Sequence, residues 1–127
     1  MKLLLDTHAF LWFIDDSSVL STRGKSLLEA ENELLLSVGS LWEIAVKLCL
    51  GKLTVAMPTE ALMTQQLTTN NLEVLSISVP HLIQVSTLPL HHRDPFDRLI
   101  IAQALVEQIP IVSADPAFDA YPIQRLW

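Results

Sequence analysis

Apolar positions fall along the chain in two rhythms. Short unbroken runs such as Leu3-Leu4-Leu5 and Leu34-Leu35-Leu36 alternate with longer stretches whose apolar residues recur every three or four positions. The runs and their flanks predict strands at Lys2–Leu5, Leu34–Ser37, Leu72–Ile77 and Ile111–Ser113, with a fifth, edge strand over Ile123–Trp127. The periodic stretches predict helices near His8–Phe13, over Thr22–Ala30 behind a Ser21 cap, over Thr59–Thr69 behind Pro58, and from Pro80 to Ser86. A further helix is expected from Ser40 to Leu50, with Ser40 and Glu43 at capping-box spacing and Gly51 as its stop. A long helix over Phe96–Gln108 opens at Pro95 and turns Leu99, Ile100, Ala102, Leu105 and Val106 inward; Pro116–Tyr121 reads as a helical turn. Strands that are continuously apolar are buried on both faces. The expected fold is therefore α/β, with a central, mainly parallel sheet of four to five strands and helices on each side.

Composition narrows the class. The chain has 127 residues, half of them hydrophobic and 17% charged, which fits one compact domain over 1-127 and excludes disorder. The single Cys49 excludes an internal disulfide and a cysteine-based zinc site, and fits a reducing compartment. No apolar run is long enough to span a membrane. Asp6 cuts the N-terminal apolar stretch too early for a secretory core, so a cytoplasmic protein is expected. Cys49, amid apolar helix residues, is expected to serve packing.

The net charge of −6 argues against a nucleic-acid binder until the acids are placed. Asp6 directly follows the first strand. Glu43 lies one turn into the helix after the second, and Asp115 sits two residues past Ser113 at the end of the fourth. Asp94 and Asp97 flank Pro95 at the mouth of the long helix. In a parallel sheet the strand ends share one edge, where ligands of such folds bind. That helix leads through Ile109-Pro110 into the fourth strand, which puts its N-terminus at the same edge. Taken singly, Glu43 and Asp94 read more readily as caps or solvated surface. Together the acids would repel one another unless a hard divalent cation neutralised them. Mg²⁺ or Mn²⁺, one or two ions, meets that need, and two such ions would move the formal charge from −6 to −2. Arg93 and Arg98 bracket the acidic mouth and Lys47 lies four residues after Glu43, so all three are candidates to hold phosphates. Their plain alternatives are Glu43–Lys47 and Asp94–Arg98 pairs at i,i+4 spacing.

At these residues the chain resembles the PIN-domain ribonucleases of the VapC toxin type, from type II toxin–antitoxin systems. The matching stretches are Leu4–Trp12, Ser37–Lys47 with Gly51-Lys52-Leu53, His92–Ala104 and Val112–Asp115, in family order. The resemblance implies a three-layer α/β/α fold and Mg²⁺- or Mn²⁺-dependent endonucleolytic hydrolysis of RNA, of the tRNA or rRNA class. It implies that Asp6, Glu43, Asp97 and Asp115 are the catalytic and metal-binding acids. Asp94 belongs to the same signature as an accessory residue. Ser113 and Ser37 stand where a small hydroxyl orients a water or a carboxylate, and Thr7 beside Asp6 is a further accessory candidate. The resemblance also implies a homodimer and a cognate antitoxin whose C-terminal segment covers the active-site groove. Trp12, Phe13, Trp42 and Trp127 are candidates for the partner-facing surface.

His8, read as a support for Asp6 by hydrogen bonding, and the adjacent pair His91 and His92 are not expected to act directly, because neighbouring side chains in a loop diverge. With no histidine pair to activate a ribose 2′-hydroxyl, a metal-activated external water is the expected nucleophile. Two other readings compete. A receiver-type phosphotransfer domain needs an Asp at the end of its third strand, where this chain has Ile77-Ser78-Val79. A non-catalytic interaction module of the same fold is disfavoured by the presence of all four acids.

Overall fold

The computed structural model describes residues 1–127. Five strands form one parallel sheet: β1 (Lys2–Leu5), β2 (Glu33–Ser37), β3 (Leu72–Leu75), β4 (Ile111–Val112) and β5 (Arg125–Leu126). Their order across the sheet is β3-β2-β1-β4-β5, so β1 is central and β5 an edge. Leu3, Leu4 and Leu5 pair with Leu34, Leu35 and Leu36, which sets the two leucine runs side by side. Successive strand residues face opposite sides. Leu3, Leu5, Leu34 and Leu36 accordingly enter one core with Phe10, Ile44 and Leu62, and Leu4 and Leu35 enter another with Ile100, Ile101 and Phe118. Two apolar cores divided by one sheet are the physical content of a three-layer α/β/α fold.

One face is covered by α1 (Thr7–Ile14), α2 (Thr22–Glu29), α3 (Val38–Cys49) and the stretch in which a π turn over Ala61–Gln65 runs into α4 (Gln66–Thr69). The other carries α5 (Val79–Thr87), α6 (Pro95–Glu107) and the 3₁₀ turn Pro116–Ala120. No helix is long and apolar enough to cross a membrane.

Most element ends sit near their expected places, and the exceptions have local causes. The helix expected to start at Ser40 begins at Val38, because Ser37 at the end of β2 accepts the Gly39 N–H at 3.0 Å and caps it. Ser40 and Glu43 thus lie inside α3, and the expected capping box between them is not formed. The helix stops as expected at Gly51, which takes a left-handed φ of 69°. Strand three ends at Leu75, two residues early, since the chain turns to bring Ser78 to the start of α5. Cys49, expected to pack, is exposed.

Gly39 allows α3 to lie against α6. A Cβ there would stand 2.5 Å from Leu99 Cδ2, and Leu99 is buried. Gly39→Ala must displace Leu99 or separate the helices, at about 1–3 kcal/mol. Chemical denaturation should show the midpoint falling; an unchanged midpoint would mean that the helix approach does not depend on this glycine.

Candidate metal centre

The strand order reverses at β1, whose neighbours are β2 and β4, and the carboxyl ends of these strands form the crevice expected of such a switch point. Asp6 is the residue after β1. It caps α1, with Oδ1 accepting the Ala9 N–H at 2.7 Å, and it is buried. Burial pushes its carboxyl above the usual carboxylate range; hydrogen bonding with Ser113 and Ala9 opposes that push, and the charge of Asp115 adds to it.

Glu43, on the second turn of α3, is 3% exposed. Its Oε1 lies 2.7 Å from Thr7 Oγ1 and its Oε2 2.7 Å from Lys47 Nζ. Thr7 Oγ1 is also 3.0 Å from Ser40 Oγ. With one proton to give, Thr7 donates to the carboxylate and bonds to the Ser40 hydroxyl through its lone pair. Lys47 therefore forms the i,i+4 pair anticipated as its plain alternative, which holds its ammonium pKa up.

Asp94 caps α6, its Oδ1 accepting the Phe96 and Asp97 N–H groups at 2.9 and 3.0 Å. Asp97 in the first turn is pushed from 3.8 to about 7. Desolvation is the largest cause; the charges of Asp94, Glu43 and Asp6 add to it, and His92 opposes it. Asp115 caps the 3₁₀ turn through the Ala117 N–H at 2.9 Å, and Ser113 Oγ accepts the Asp115 N–H at 3.0 Å. His92 Nε2 stands 3.2 Å from Asp97 Oδ2 and 3.5 Å from Asp115 Oδ2. One ligand atom from each of these three residues falls within 4.8 Å of the others.

The four acids drawn from distant parts of the sequence thus influence one another at one edge. The donor set is dominated by oxygen, and only Glu43 has a close ammonium partner. Such chemistry fits a hard divalent cation.

The expected basic residues divide. Arg93 is exposed and makes no ion pair. Arg98 makes no ion pair with Asp94; its guanidinium bonds backbone carbonyls. Its Nη1 donates to the carbonyls of Pro89 and His92, and its Nη2 to those of Val85 and Leu88, so it ties the end of α5 to the loop before α6. The arginine is consumed because the chain leaving α5 turns away from helix geometry and presents carbonyls of the last helical turn and of the loop to one guanidinium. His8 makes no hydrogen bond to Asp6; it is exposed beside Trp12. His92 is the residue that sequence reasoning passed over. The signal was its place two residues before the α6 cap, at a helix start already assigned to this edge.

A cavity of about 420 Å³ runs along α1, lined by His8, Leu11, Trp12, Leu53, Val55 and Met57 among others.

A protein-family model described as "PIN domain" matches residues 3–124. A search of curated proteins by sequence finds no match. Among solved structures, the chain is similar to VapBC2 from Rickettsia felis bound to a DNA fragment from their promoter, with TM-score 0.73 and 18% identity over 99% of this chain and 98% of that one. It is similar to VapBC-1 from nontypeable Haemophilus influenzae, with TM-score 0.68 and 17% identity over 99% and 97% of the two chains. FitAcB from Neisseria gonorrhoeae gives TM-score 0.67 at 17% identity over 98% and 96%. At these identities the likeness is one of fold.

The raised Asp97 pKa has a consequence for metal-free protein. Between pH 3.8 and about 7 the folded state holds a proton that the unfolded chain has released. The stability linked to Asp97 is therefore full below pH 3.8 and is lost as pH rises through about 7. Asp6 shifts in the same direction. In chelator, the unfolding midpoint should drop across this window, and Asp97→Asn should flatten the drop. A midpoint that climbs over the same range would contradict the crowding described.

Proposed function

The chain belongs to the PIN domain family, and on that premise we propose that it is a metal-dependent endoribonuclease, the toxin component of a toxin–antitoxin pair. The observation that carries the reading is the meeting of Asp97 and Asp115 within 4.8 Å at His92, beside a buried site where desolvation and the charges of Asp94, Glu43 and Asp6 push Asp97 up to about 7. Such a site is relieved by Mg²⁺ or Mn²⁺ bound by these carboxylates. When bound, the cation supplies a water acidic enough to act as a nucleophile and offsets charge on the phosphodiester.

The chain's own residues do the rest. Asp6 and Asp115 are fixed by backbone N–H groups of the helical turns they cap, so their free lone pairs face the crevice in a set geometry. Glu43 is held by Thr7 and Lys47 and remains an acceptor able to orient the attacking water. Ser113 bonds the Asp115 backbone and steadies Asp6. Ser37 sets the start of α3 and with it the depth of Glu43. Exposed Arg93, and Lys47 beside Glu43, are the bases available to incoming phosphates. In this reading external water, supplied by the cation, is the nucleophile rather than the ribose 2′-hydroxyl.

We further assign RNA of the tRNA or rRNA class as substrate, the cytoplasm as its place of action, and an antitoxin segment as the occupant of the apolar cavity along α1. Solved structures of similar fold include a toxin-antitoxin complex from Klebsiella pneumoniae and a member of the VapBC family of toxin-antitoxin systems from Mycobacterium tuberculosis, which supports the last assignment. Self-association as a homodimer has apolar surface to draw on, with Trp42 and Leu50 on and just after α3 and Val79, Leu82 and Ile83 on α5 all exposed.

External-water attack leaves 5′-phosphate and 3′-hydroxyl ends. Sequencing of 5′-phosphate RNA ends after induction should give sites present with the wild type and absent with Asp6→Ala. In vitro, Asp6→Asn or Asp97→Asn should lower cleavage by about 100-fold or more, and chelator should abolish it. Cyclic 2′,3′-phosphate ends formed without metal would sink the reading. Folded protein whose unfolding midpoint ignores millimolar Mn²⁺ would favour a non-catalytic module.

A further inference from the structure

We propose that His92 is a positioning residue whose Nε2–H orients the Asp97 and Asp115 carboxylates, and that it is not itself a ligand of the cation. This rests on the metal-dependent reading above.

The imidazole is held on several sides. The His92 backbone N–H donates to Tyr121 Oη at 2.8 Å, and that hydroxyl donates to the Pro89 carbonyl at 2.7 Å. The ring stacks on Phe118, with centroids 5.7 Å apart and planes 26° from parallel. Its Nδ1 accepts the backbone N–H of Asp94 at 3.3 Å. A neutral imidazole that accepts at Nδ1 carries its proton on Nε2. Nε2 is the atom that faces the acids, 3.2 Å from Asp97 Oδ2 and 3.5 Å from Asp115 Oδ2.

Ligation through Nε2 needs a lone pair there, and this tautomer has none. Nε2 stands in close contact with both carboxylates, nearer to Asp97 at 3.2 Å than to Asp115 at 3.5 Å. It therefore bridges the start of α6 and the turn after β4, two segments with no covalent reason to keep a fixed spacing. Each carboxylate keeps lone pairs for a cation. The spacing His92-Arg93-Asp94 explains how one acid does two jobs. The Asp94 side chain caps α6 and thereby aims Asp97, while its backbone N–H sets the tautomer of the histidine that holds Asp97 from the other side. Outer hydrogen bonds of this kind typically govern metal affinity by about 10–100-fold.

Substitutions can separate donation from packing. In His92→Phe the ring stays on Phe118 and the N–H is lost. In His92→Gln the ring is lost, and the side-chain amide carries an N–H to the position of Nε2. Mn²⁺ affinity of the full chain, read by EPR titration, should weaken about 10–100-fold in H92F and recover most of the way in H92Q, with metal-free unfolding midpoints reported for each. Pulsed EPR of the Mn²⁺-loaded wild type should show no coordinated imidazole nitrogen. Long-range ¹H–¹⁵N NMR of the wild type above neutral pH should show the Nε2–H tautomer, a measurement that needs no variant. A coordinated-nitrogen coupling, an Nδ1–H tautomer, H92F binding Mn²⁺ like the wild type, or H92Q no better than H92F would each overturn the proposal. Wild type that binds no Mn²⁺ would overturn the metal-dependent reading and this proposal together, whereas tight wild-type binding equalled by H92F would overturn this proposal alone.

Discussion

Repulsion among carboxylates gathered at one sheet edge is the constraint around which this molecule is arranged. Asp6 is almost wholly buried beside the central strand, and Asp97 feels three other acids as well as desolvation. No single acid explains that crowding; it arises because β1, β4, α3 and α6 all deliver a residue to the switch point of a parallel sheet. The two leucine-rich cores make the arrangement rigid. With Leu3, Leu4 and Leu5 fully buried between helical layers, the end of β1 cannot retreat into solvent to relieve its acid.

Helix caps are the local device that holds the acids in place. Asp6, Asp94 and Asp115 each accept backbone N–H groups at the start of a helical turn. A cap bond draws charge from the unpaired N–H groups of a helix start and fixes a rotamer at once. The ordinary structural reading of these acids and the functional one are therefore compatible. The same oxygen that satisfies a helix end is part of a group whose other lone pairs face the crevice.

How much of this was legible in the sequence follows from the range of the interactions involved. The strands and most helices came from short-range signals: leucine runs, prolines at helix starts, Gly51 at a helix end. The parallel sheet followed from runs buried on both faces, and the edge shared by the acids followed from the sheet. What sequence could not carry were contacts set by three-dimensional approach. Ser40 and Glu43 have capping-box spacing, yet Ser37 caps the helix, and this frees both side chains to meet Thr7 from α1. Arg98 sits beside the acids in sequence, but its guanidinium answers carbonyls at the end of α5 and in the loop that follows, whose path no local pattern reveals. His92 was discounted because adjacent histidines diverge. They do diverge: His91 turns to the edge of Tyr121 and His92 to the acids. Divergence excluded a shared ion and left a single imidazole free to act.

The site is also uneven, and the unevenness bears on where a cation would sit. Glu43 is matched by Lys47 at 2.7 Å and by the Thr7 hydroxyl, so its charge is largely answered within the protein. Asp97 and Asp115 have no ammonium or guanidinium within ion-pair distance; their close neighbour is the His92 imidazole, at 3.2 and 3.5 Å. Burial, with the charges of Asp94, Glu43 and Asp6, drives Asp97 up to about 7. Negative charge is therefore least answered on the side of the site formed by α6 and the turn after β4. A divalent cation gains most where negative charge is least neutralised, so the proposed reading favours the Asp97 and Asp115 side of the site over the Glu43–Lys47 pair, whose charges already answer each other at 2.7 Å.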